Sequence, residues 1–183
     1  MRRETLEKRM EPGKITRKAG VIALFYPDKD EDTRLLFILR KTYPGVHSNQ
    51  IGFPGGQQET EDGSLLETAL REAEEEVGIE RPRVTVIRAM SELYIPPSNF
   101  EVWPFIGLYD KQKPFTLQQT EVETLVEVPL GQILDDGRRT TRRMKTSYAR
   151  EVEVPAYELG GFIVWGATAM MLSEIKELLK KVM

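Results

Sequence analysis

Cysteine is absent from this sequence, and histidine occurs only once, at His47. Without cysteine the chain has no disulfide, no zinc–thiolate site and no thiol nucleophile. A single histidine also excludes a metal site built from several histidines. The sequence therefore excludes the disulfide-stapled, zinc-thiolate and cysteine-dependent classes of protein.

A strong charge imbalance and a long hydrophobic run are also missing. Lys+Arg 26 against Asp+Glu 29 gives a net charge of -3, which offers no general attraction to nucleic acid or membranes. The longest apolar run, near residues 162–172, is far shorter than the roughly 20 residues of a membrane-spanning helix. The first residues, MRRETLEKRMEPGK, mix both charge signs without an apolar core, unlike a signal peptide. These features favour a cytoplasmic enzyme.

What the chain does contain predicts one compact α/β domain over residues 1–183, with 1–14 as a loose arm or charged helix. Pro104, inside one predicted strand, indicates an edge position or a bulge. Strands and helices alternate irregularly, which favours a mixed sheet between helices. The patterns predict strands at 19–26, 34–40, 50–53, 84–93, 102–109 and 124–128, helices at 64–77, 129–134 and 167–182, and a hairpin at 138–154.

The most informative stretch is a tight glycine loop followed by an acidic helix, FPGGQQETEDGSLLETALREAEEEVGI. Asp62 or Ser64 would cap this helix, and Gly78 would end it. Glu72, Glu75 and Glu76 stand at i, i+3 and i+4, so their carboxylates gather on one flank. Three like charges so close repel one another unless a cation lies among them, and hard oxygen ligands favour Mg²⁺.

This stretch resembles the signature of the Nudix hydrolases, G-x5-E-x7-R-E-U-x-E-E-x-G-U, where U is aliphatic. Residues 71–79 match it throughout, whereas Asp62 replaces the first glutamate and one extra residue precedes Arg71. The resemblance implies an α/β/α sandwich with a mixed β-sheet. It also implies an enzyme that uses Mg²⁺ or Mn²⁺ to hydrolyse nucleoside diphosphates linked to another group. The alternative interpretation of the stretch is an acidic, solvated helix face.

The resemblance also implies roles for particular residues. Arg71 would pair with a glutamate and orient it, and one of the glutamates would be the base that activates water. Glu121 is a further candidate ligand or base, with an ordinary loop carboxylate as the alternative. The implied metal ligands are Glu72, Glu75 and Glu76, with the backbone of Gly56 as an additional one.

A narrower resemblance covers residues 35–62, LLFILRKTYPGVHSNQIGFPGGQQETED, which is similar to the pattern of the coenzyme A diphosphatase branch. It implies cleavage of coenzyme A into adenosine 3′,5′-bisphosphate and 4′-phosphopantetheine. Lys41, Pro44 and Asn49 depart from that pattern. For Arg40 the alternative is a solvated charge, and for His47 a loop packing role. The substrate-binding candidates are Arg40, Lys41, His47, Gly55 and Gly56.

Other functions remain open from the sequence. The same chemistry would serve ADP-ribose, dinucleoside polyphosphates or oxidised nucleotides, and a catalytically silent nucleotide sensor is a rival of another class. The basic run at 138–145 predicts a solvated hairpin or a phosphate-binding rim rather than a nucleic-acid surface. The expected partners are a small-molecule nucleotide and, as in many relatives, a second copy of the chain.

Overall fold

The computed structural model describes residues 16–41, 50–146 and 149–182. The predicted N-terminal arm and the loop that contains His47 lie outside the described residues. Within the described ranges, no helix combines the length and apolar character needed to cross a bilayer.

A mixed β-sheet forms the centre of the molecule, and its middle strand is β1 (Arg17–Pro27). β1 runs parallel to β7 (Phe100–Tyr109) on one side. On the other side it runs antiparallel to β2 (Thr33–Arg40) and β4 (Gly55–Gln57). The next strands outward are β8 beside β2, and β5 and β6 beside β7. These strands are β2 (Thr33–Arg40), β5 (Val84–Ala89), β6 (Leu93–Ile95), β7 (Phe100–Tyr109) and β8 (Val122–Pro129).

The sheet divides where β1 and β2 separate. The two strands pair only near the loop that joins them, where Phe25 faces Leu35. Farther along, the segment of residues 51–57 fills the opening: β3 (Ile51–Gly52) pairs with β2, and β4 (Gly55–Gln57) pairs with β1. The glycine loop is therefore built into the middle of the sheet.

Helix α1 (Leu65–Val77) covers one face of the sheet. The hydroxyl of Ser64 accepts a hydrogen bond from the N–H of Glu67, and Gly78 ends the helix in the left-handed conformation at φ 71°. Both predicted boundaries are therefore confirmed, with Ser64 as the cap. A Cβ on Gly20 of β1 would collide with the carbonyl of Leu65, so this glycine lets the helix lie close to the strand.

Helix α3 (Gly166–Leu179) covers the opposite face, as the periodicity of the tail predicts. Consecutive residues of β2 point to opposite faces of the sheet, so the strand contributes to the core on both sides. Leu35 and Phe37 join the cluster under α3, whereas Leu36 and Ile38 join the cluster under α1. The predicted α/β fold with a mixed sheet between helices is therefore confirmed. A short helix, α2 (Leu130–Leu134), follows β8.

The basic run forms part of a second, three-stranded antiparallel sheet. The predicted hairpin is confirmed as β9 (Arg139–Thr146) and β10 (Ala149–Leu159), and β11 (Phe162–Trp165) adds a third strand. β11 leads directly into α3. The sequence patterns do not predict β11 as a separate strand.

Two predictions about the strands beside β7 are wrong. The continuous strand expected at 84–93 is divided into β5 and β6, and the edge position expected for Pro104 is wrong because its strand is interior. The alternative, a bulge, has a counterpart nearby, since the β5–β7 pairing shifts register between Val86 and Arg88. Pro104 is tolerated there because the partner ladder breaks opposite it. The N–H of Met90 still donates to the carbonyl of Pro104 at 2.8 Å, and the next partner strand begins at Leu93.

Candidate active site

The glycine loop and helix α1 meet with almost no space between them. Gly55 has φ 143°, and a Cβ there would collide with the backbone of Gly20 and Val21. A Cβ on Gly56 would lie 2.5 Å from the carboxylate carbon of Glu72. The two glycines therefore allow the helix carboxylates to lie directly against the loop backbone.

Glu76 is the most buried of these carboxylates, with 1% of its side chain exposed. Its Oε2 accepts a hydrogen bond from the N–H of Gly55 at 2.8 Å. Its Oε1 lies 3.0 Å from Nη1 of Arg40 but accepts no hydrogen bond. Burial raises the pKa of Glu76 to about 7, against the opposing effects of Arg40 and the Gly55 N–H. The Oε1 atom of this buried acid therefore has an ion pair with Arg40 but no hydrogen bond.

Glu72 and Glu121 lie near Glu76. Burial raises the pKa of Glu72 above its usual value, and the nearby charges of Glu75 and Glu121 contribute in the same direction. Glu121 also contributes to the raised pKa of Glu76, although Glu121 itself is exposed. The carboxylate of Glu121 is therefore close enough to raise the pKa values of both Glu72 and Glu76, and the carboxylate of Glu72 is close enough to raise the pKa of Glu76.

Arg71 is the central cation of the loop and helix. Its Nε and Nη2 donate to the two oxygens of Asp62 at 3.0 and 3.1 Å, and Nη2 also donates to Glu72 at 3.0 Å. Asp62 additionally accepts from the backbone N–H of Glu59 and the hydroxyl of Thr68. The Arg71 guanidinium holds the pKa of Asp62 well below its usual range.

Asp62 therefore anchors the orienting arginine, a role that the sequence reasoning missed. The available signal was charge: Asp62 is an acid in the loop immediately before the helix that carries Arg71. The extra residue in the loop does not prevent the contact, because Asp62 still presents both carboxylate oxygens to the guanidinium. The departure from the signature thus preserves an acid–arginine pair.

The remaining candidates occupy different surroundings. Glu75 is 52% exposed and pairs with Arg71 at 3.1 Å. Arg40, besides contacting Glu76, donates to the carbonyl of Gly55, and the N–H of Lys41 donates to the carbonyl of Glu121 at 2.9 Å. Among the residues that the structure describes, no three carboxylates converge on one point as a ready-made metal site. Each helix glutamate is instead turned toward an arginine or a backbone donor.

A match to a known protein family identifies the chemistry of this site. A family model described as NUDIX domain matches residues 16–148, well over half of the chain. The chain belongs to the Nudix family. It is a Nudix hydrolase, an enzyme that acts on phosphorus-containing anhydrides.

Relatives and solved structures agree with this assignment. An uncharacterized Nudix hydrolase, NudL, from Salmonella newport is 32% identical over 157 residues, which cover 77% of this chain and 78% of the relative. The Nudix hydrolase RenU of M. smegmatis has a TM-score of 0.62 at 13% identity, covering 92% of this chain and 88% of that one. The Nudix domain of Shewanella oneidensis NrtR, solved with ADP ribose, has a TM-score of 0.58 at 17% identity, covering 98% and 99%. Both structures share the Nudix fold.

Nudix hydrolases generally require divalent metal ions, and the donor set of this Nudix chain fits a hard cation. The fit rests on the buried Oε1 of Glu76, which accepts no hydrogen bond, and on the neighbouring carboxylates of Glu72 and Glu121.

Proposed function

We propose that this Nudix hydrolase cleaves the diphosphate of coenzyme A or its derivatives, giving adenosine 3′,5′-bisphosphate and 4′-phosphopantetheine. The observation that carries the hydrolytic part is Glu76, buried between the Gly55 N–H and Arg40 with one oxygen lacking a hydrogen bond. The substrate follows from the pattern at residues 35–62. Asp62, which matches that pattern, makes a paired contact with Arg71.

The residues of the site would divide the work as follows. Glu72 and Glu76 would hold Mg²⁺ or Mn²⁺, with Glu75, Glu121 and the Gly56 carbonyl as further candidate ligands. When bound, the cation neutralises charge on the phosphate oxygens and lowers the pKa of a bound water. Asp62 holds the guanidinium of Arg71, and Arg71 in turn orients Glu72.

Removing the proton from the attacking water requires a carboxylate within hydrogen-bond reach of that water. Glu76 and Glu72 both have raised pKa values, caused mainly by burial. Glu121, exposed at the rim, is the third candidate base. We propose that one of these three carboxylates is the general base, and kinetic measurements identify which one.

The principal alternative is the same reaction on ADP-ribose, dinucleoside polyphosphates or oxidised nucleotides. The NrtR domain was solved with ADP ribose, but at 17% identity this likeness shows the fold alone. A catalytically silent sensor is the rival of another class. A cytoplasmic location, a homodimer and a single domain over residues 1–183 stay predictions from the sequence.

A substrate panel tests the proposal directly. Coenzyme A, ADP-ribose, diadenosine tetraphosphate and nucleoside triphosphates would each be incubated with the protein and Mg²⁺, and the products separated by chromatography. We expect adenosine 3′,5′-bisphosphate from coenzyme A at the highest kcat/KM of the panel. Faster cleavage of ADP-ribose with coenzyme A left intact would reject the substrate, and binding without any turnover would support the sensor.

Conservative variants test the residues. Glu72→Gln and Glu76→Gln keep the side-chain shape but remove the charge, so we expect kcat to fall by at least about a hundredfold. Glu123→Gln is the matched control, because Glu123 is exposed on the same short stretch as Glu121. Full turnover by a folded Glu76→Gln protein would remove Glu76 from the mechanism.

A further inference from the structure

A cavity of about 400 Å³ lies between the main sheet and the three-stranded sheet. Its volume is within the range of small-molecule pockets. Leu39 and Ile51 contribute one wall from β2 and β3, and Phe162 and Trp165 contribute another from β11. Arg142 and Arg143, from the basic run on β9, are the charged residues of the lining, which Gln50 and Ile163 complete. A mostly apolar and aromatic cavity with two arginines suits a ring system that carries an anionic group.

This cavity lies on the opposite face of the main sheet from the helix glutamates. Leu39 packs against the cluster under α3, whereas Ile38 belongs to the cluster under α1. The cavity and the glycine loop meet at the end of β2, where Arg40 directly follows the cavity residue Leu39. The N–H of Arg40 donates to the carbonyl of Gln50, which also lines the cavity, and its guanidinium donates to the carbonyl of Gly55. Ile51 and Gly55 are four residues apart, so at most about 14 Å separates their Cα atoms. The cavity and the glycine loop are therefore neighbours, close enough for one nucleotide to contact both with its two ends.

Among the residues that the structure describes, the carboxylates that pair with the cavity arginines are exposed. Arg142 lies 3.6 Å from Glu158, and Arg143 lies 3.3 Å from Glu153. All four side chains are about half exposed or more, so these ion pairs contribute little and are easily exchanged for a stronger anion. A phosphate monoester carries close to two negative charges near neutral pH and accepts paired hydrogen bonds from a guanidinium.

Arg40, the arginine beside Glu76, is already held by contacts with buried groups. Arg40 contacts the buried Glu76 and the carbonyl of Gly55, and only 24% of its side chain is exposed. A phosphate that captured Arg40 would leave Glu76 without its cation. Recognition of a phosphate outside the diphosphate is thus better served by Arg142 and Arg143.

We propose that Arg142 and Arg143 determine specificity by binding the 3′-phosphate of the substrate's adenosine, while the cavity beside them holds its base. This inference rests on the proposed hydrolysis of coenzyme A. It assigns a substrate-binding role to two arginines of the basic run, which the coenzyme A pattern at residues 35–62 does not include.

The test compares coenzyme A with 3′-dephospho-coenzyme A, which lacks only that phosphate. For the double variant Arg142→Ala/Arg143→Ala, we expect kcat/KM on coenzyme A to fall about tenfold to a hundredfold, chiefly through KM. On the dephosphorylated substrate we expect little change. Arg139→Ala is the matched control, because Arg139 lies on the same strand and is exposed but does not line the cavity.

An equal effect on both substrates, or no effect on either, would overturn the proposal. A binding measurement separates this failure from failure of the proposed function. Isothermal titration with adenosine 3′,5′-bisphosphate and with adenosine 5′-monophosphate needs no turnover. We expect the wild-type protein to prefer the bisphosphate and the double variant to lose that preference. If coenzyme A is not cleaved but this pattern holds, the substrate is wrong and the phosphate site stands; if the wild-type protein shows no preference, the site is wrong.

Discussion

Gly56 and the carboxylate of Glu72 lie so close that a side chain at position 56 would take the place of the carboxylate. For Gly56→Ala we expect kcat to fall roughly a hundredfold, because small misplacements of reacting groups have effects of this size. The free energy of unfolding should change by less than about 1 kcal/mol, since the displaced atoms are the end of a flexible side chain. Steady-state kinetics and urea unfolding measure the two effects.

Gly52→Ala is the control for this change. Gly52 lies in the same segment, yet a Cβ there would meet nothing within 4 Å. We expect wild-type kcat for this variant. A Gly56→Ala protein with normal kcat would show that Glu72 need not occupy its observed position.

The contact between Asp62 and Arg71 predicts how the free energy of unfolding depends on pH. Asp62→Asn removes the charge that Arg71 binds, so we expect a loss of about 2 kcal/mol in the free energy of unfolding at pH 7. Arg71 keeps the pKa of Asp62 below the usual 3.8 in the folded protein. The contribution is therefore present above pH 3.8 and is lost as the pH falls through the lower folded pKa, because the unfolded chain binds the proton first.

Urea unfolding of both proteins between pH 3 and pH 7 measures this difference. Asp110→Asn is a suitable comparison, because Asp110 pairs with Arg83 but is 63% exposed and should contribute little. A gap between wild type and Asp62→Asn that widens toward low pH would contradict the assignment.

At the scale of elements, local signals predict local structure well. Helix α1 has a stripe of apolar residues, a Ser64 cap and a Gly78 stop, all of which act within a few residues. The division between β5 and β6 and the interior position of Pro104 depend instead on which strand pairs with β7. Pairing partners distant in sequence leave no periodic signal, so these features could not be predicted from the sequence.

The contact between α1 and β1 is the element-scale feature that positions the glutamates. Because a Cβ on Gly20 would collide with the carbonyl of Leu65, Gly20→Ala must push the helix off the sheet. We expect a loss of about 3 kcal/mol in the free energy of unfolding, together with reduced kcat. Urea unfolding and kinetics of the same samples test this.

Gly131→Ala provides the opposite case. A Cβ at Gly131 in helix α2 meets nothing within 4 Å, so the substitution should leave stability unchanged or raise it slightly. If Gly20→Ala were equally harmless, the helix would not depend on close packing against β1.

At the scale of the whole molecule, residues 51–57 fill the opening between β1 and β2 and contribute residues to both sides of the sheet. The glutamates of α1 lie on one side and the arginine-lined cavity on the other, joined by residues 51–57. Helical spacing predicts that the glutamates share a flank. It does not predict that Arg40 contacts Glu76 or that Asp62 contacts Arg71, since these partners meet only when the loop enters the sheet.

Cation binding should then appear in the stability of the whole protein. A ligand that binds only the folded state at a hundredfold excess over its Kd stabilises it by about 2.7 kcal/mol. For a chain of this size, that corresponds to a rise of roughly 5–10 °C in Tm. We expect such a rise when Mg²⁺ is added to protein treated with chelator, and a smaller rise for Glu76→Gln.

Thermal unfolding with and without Mg²⁺ makes this measurement without any substrate. Glu123→Gln should respond like the wild type, because Glu123 is exposed and takes no part in the proposed set of ligands. If Glu76→Gln and the wild type gained the same Tm, the cation would bind elsewhere and the buried Oε1 of Glu76 would need another explanation. If the Tm of Glu76→Gln rose less than that of the wild type while its kcat stayed the same, Glu76 would bind the cation without being needed for turnover. The two effects can differ because a ligand oxygen stabilises the folded state whether or not substrate is present.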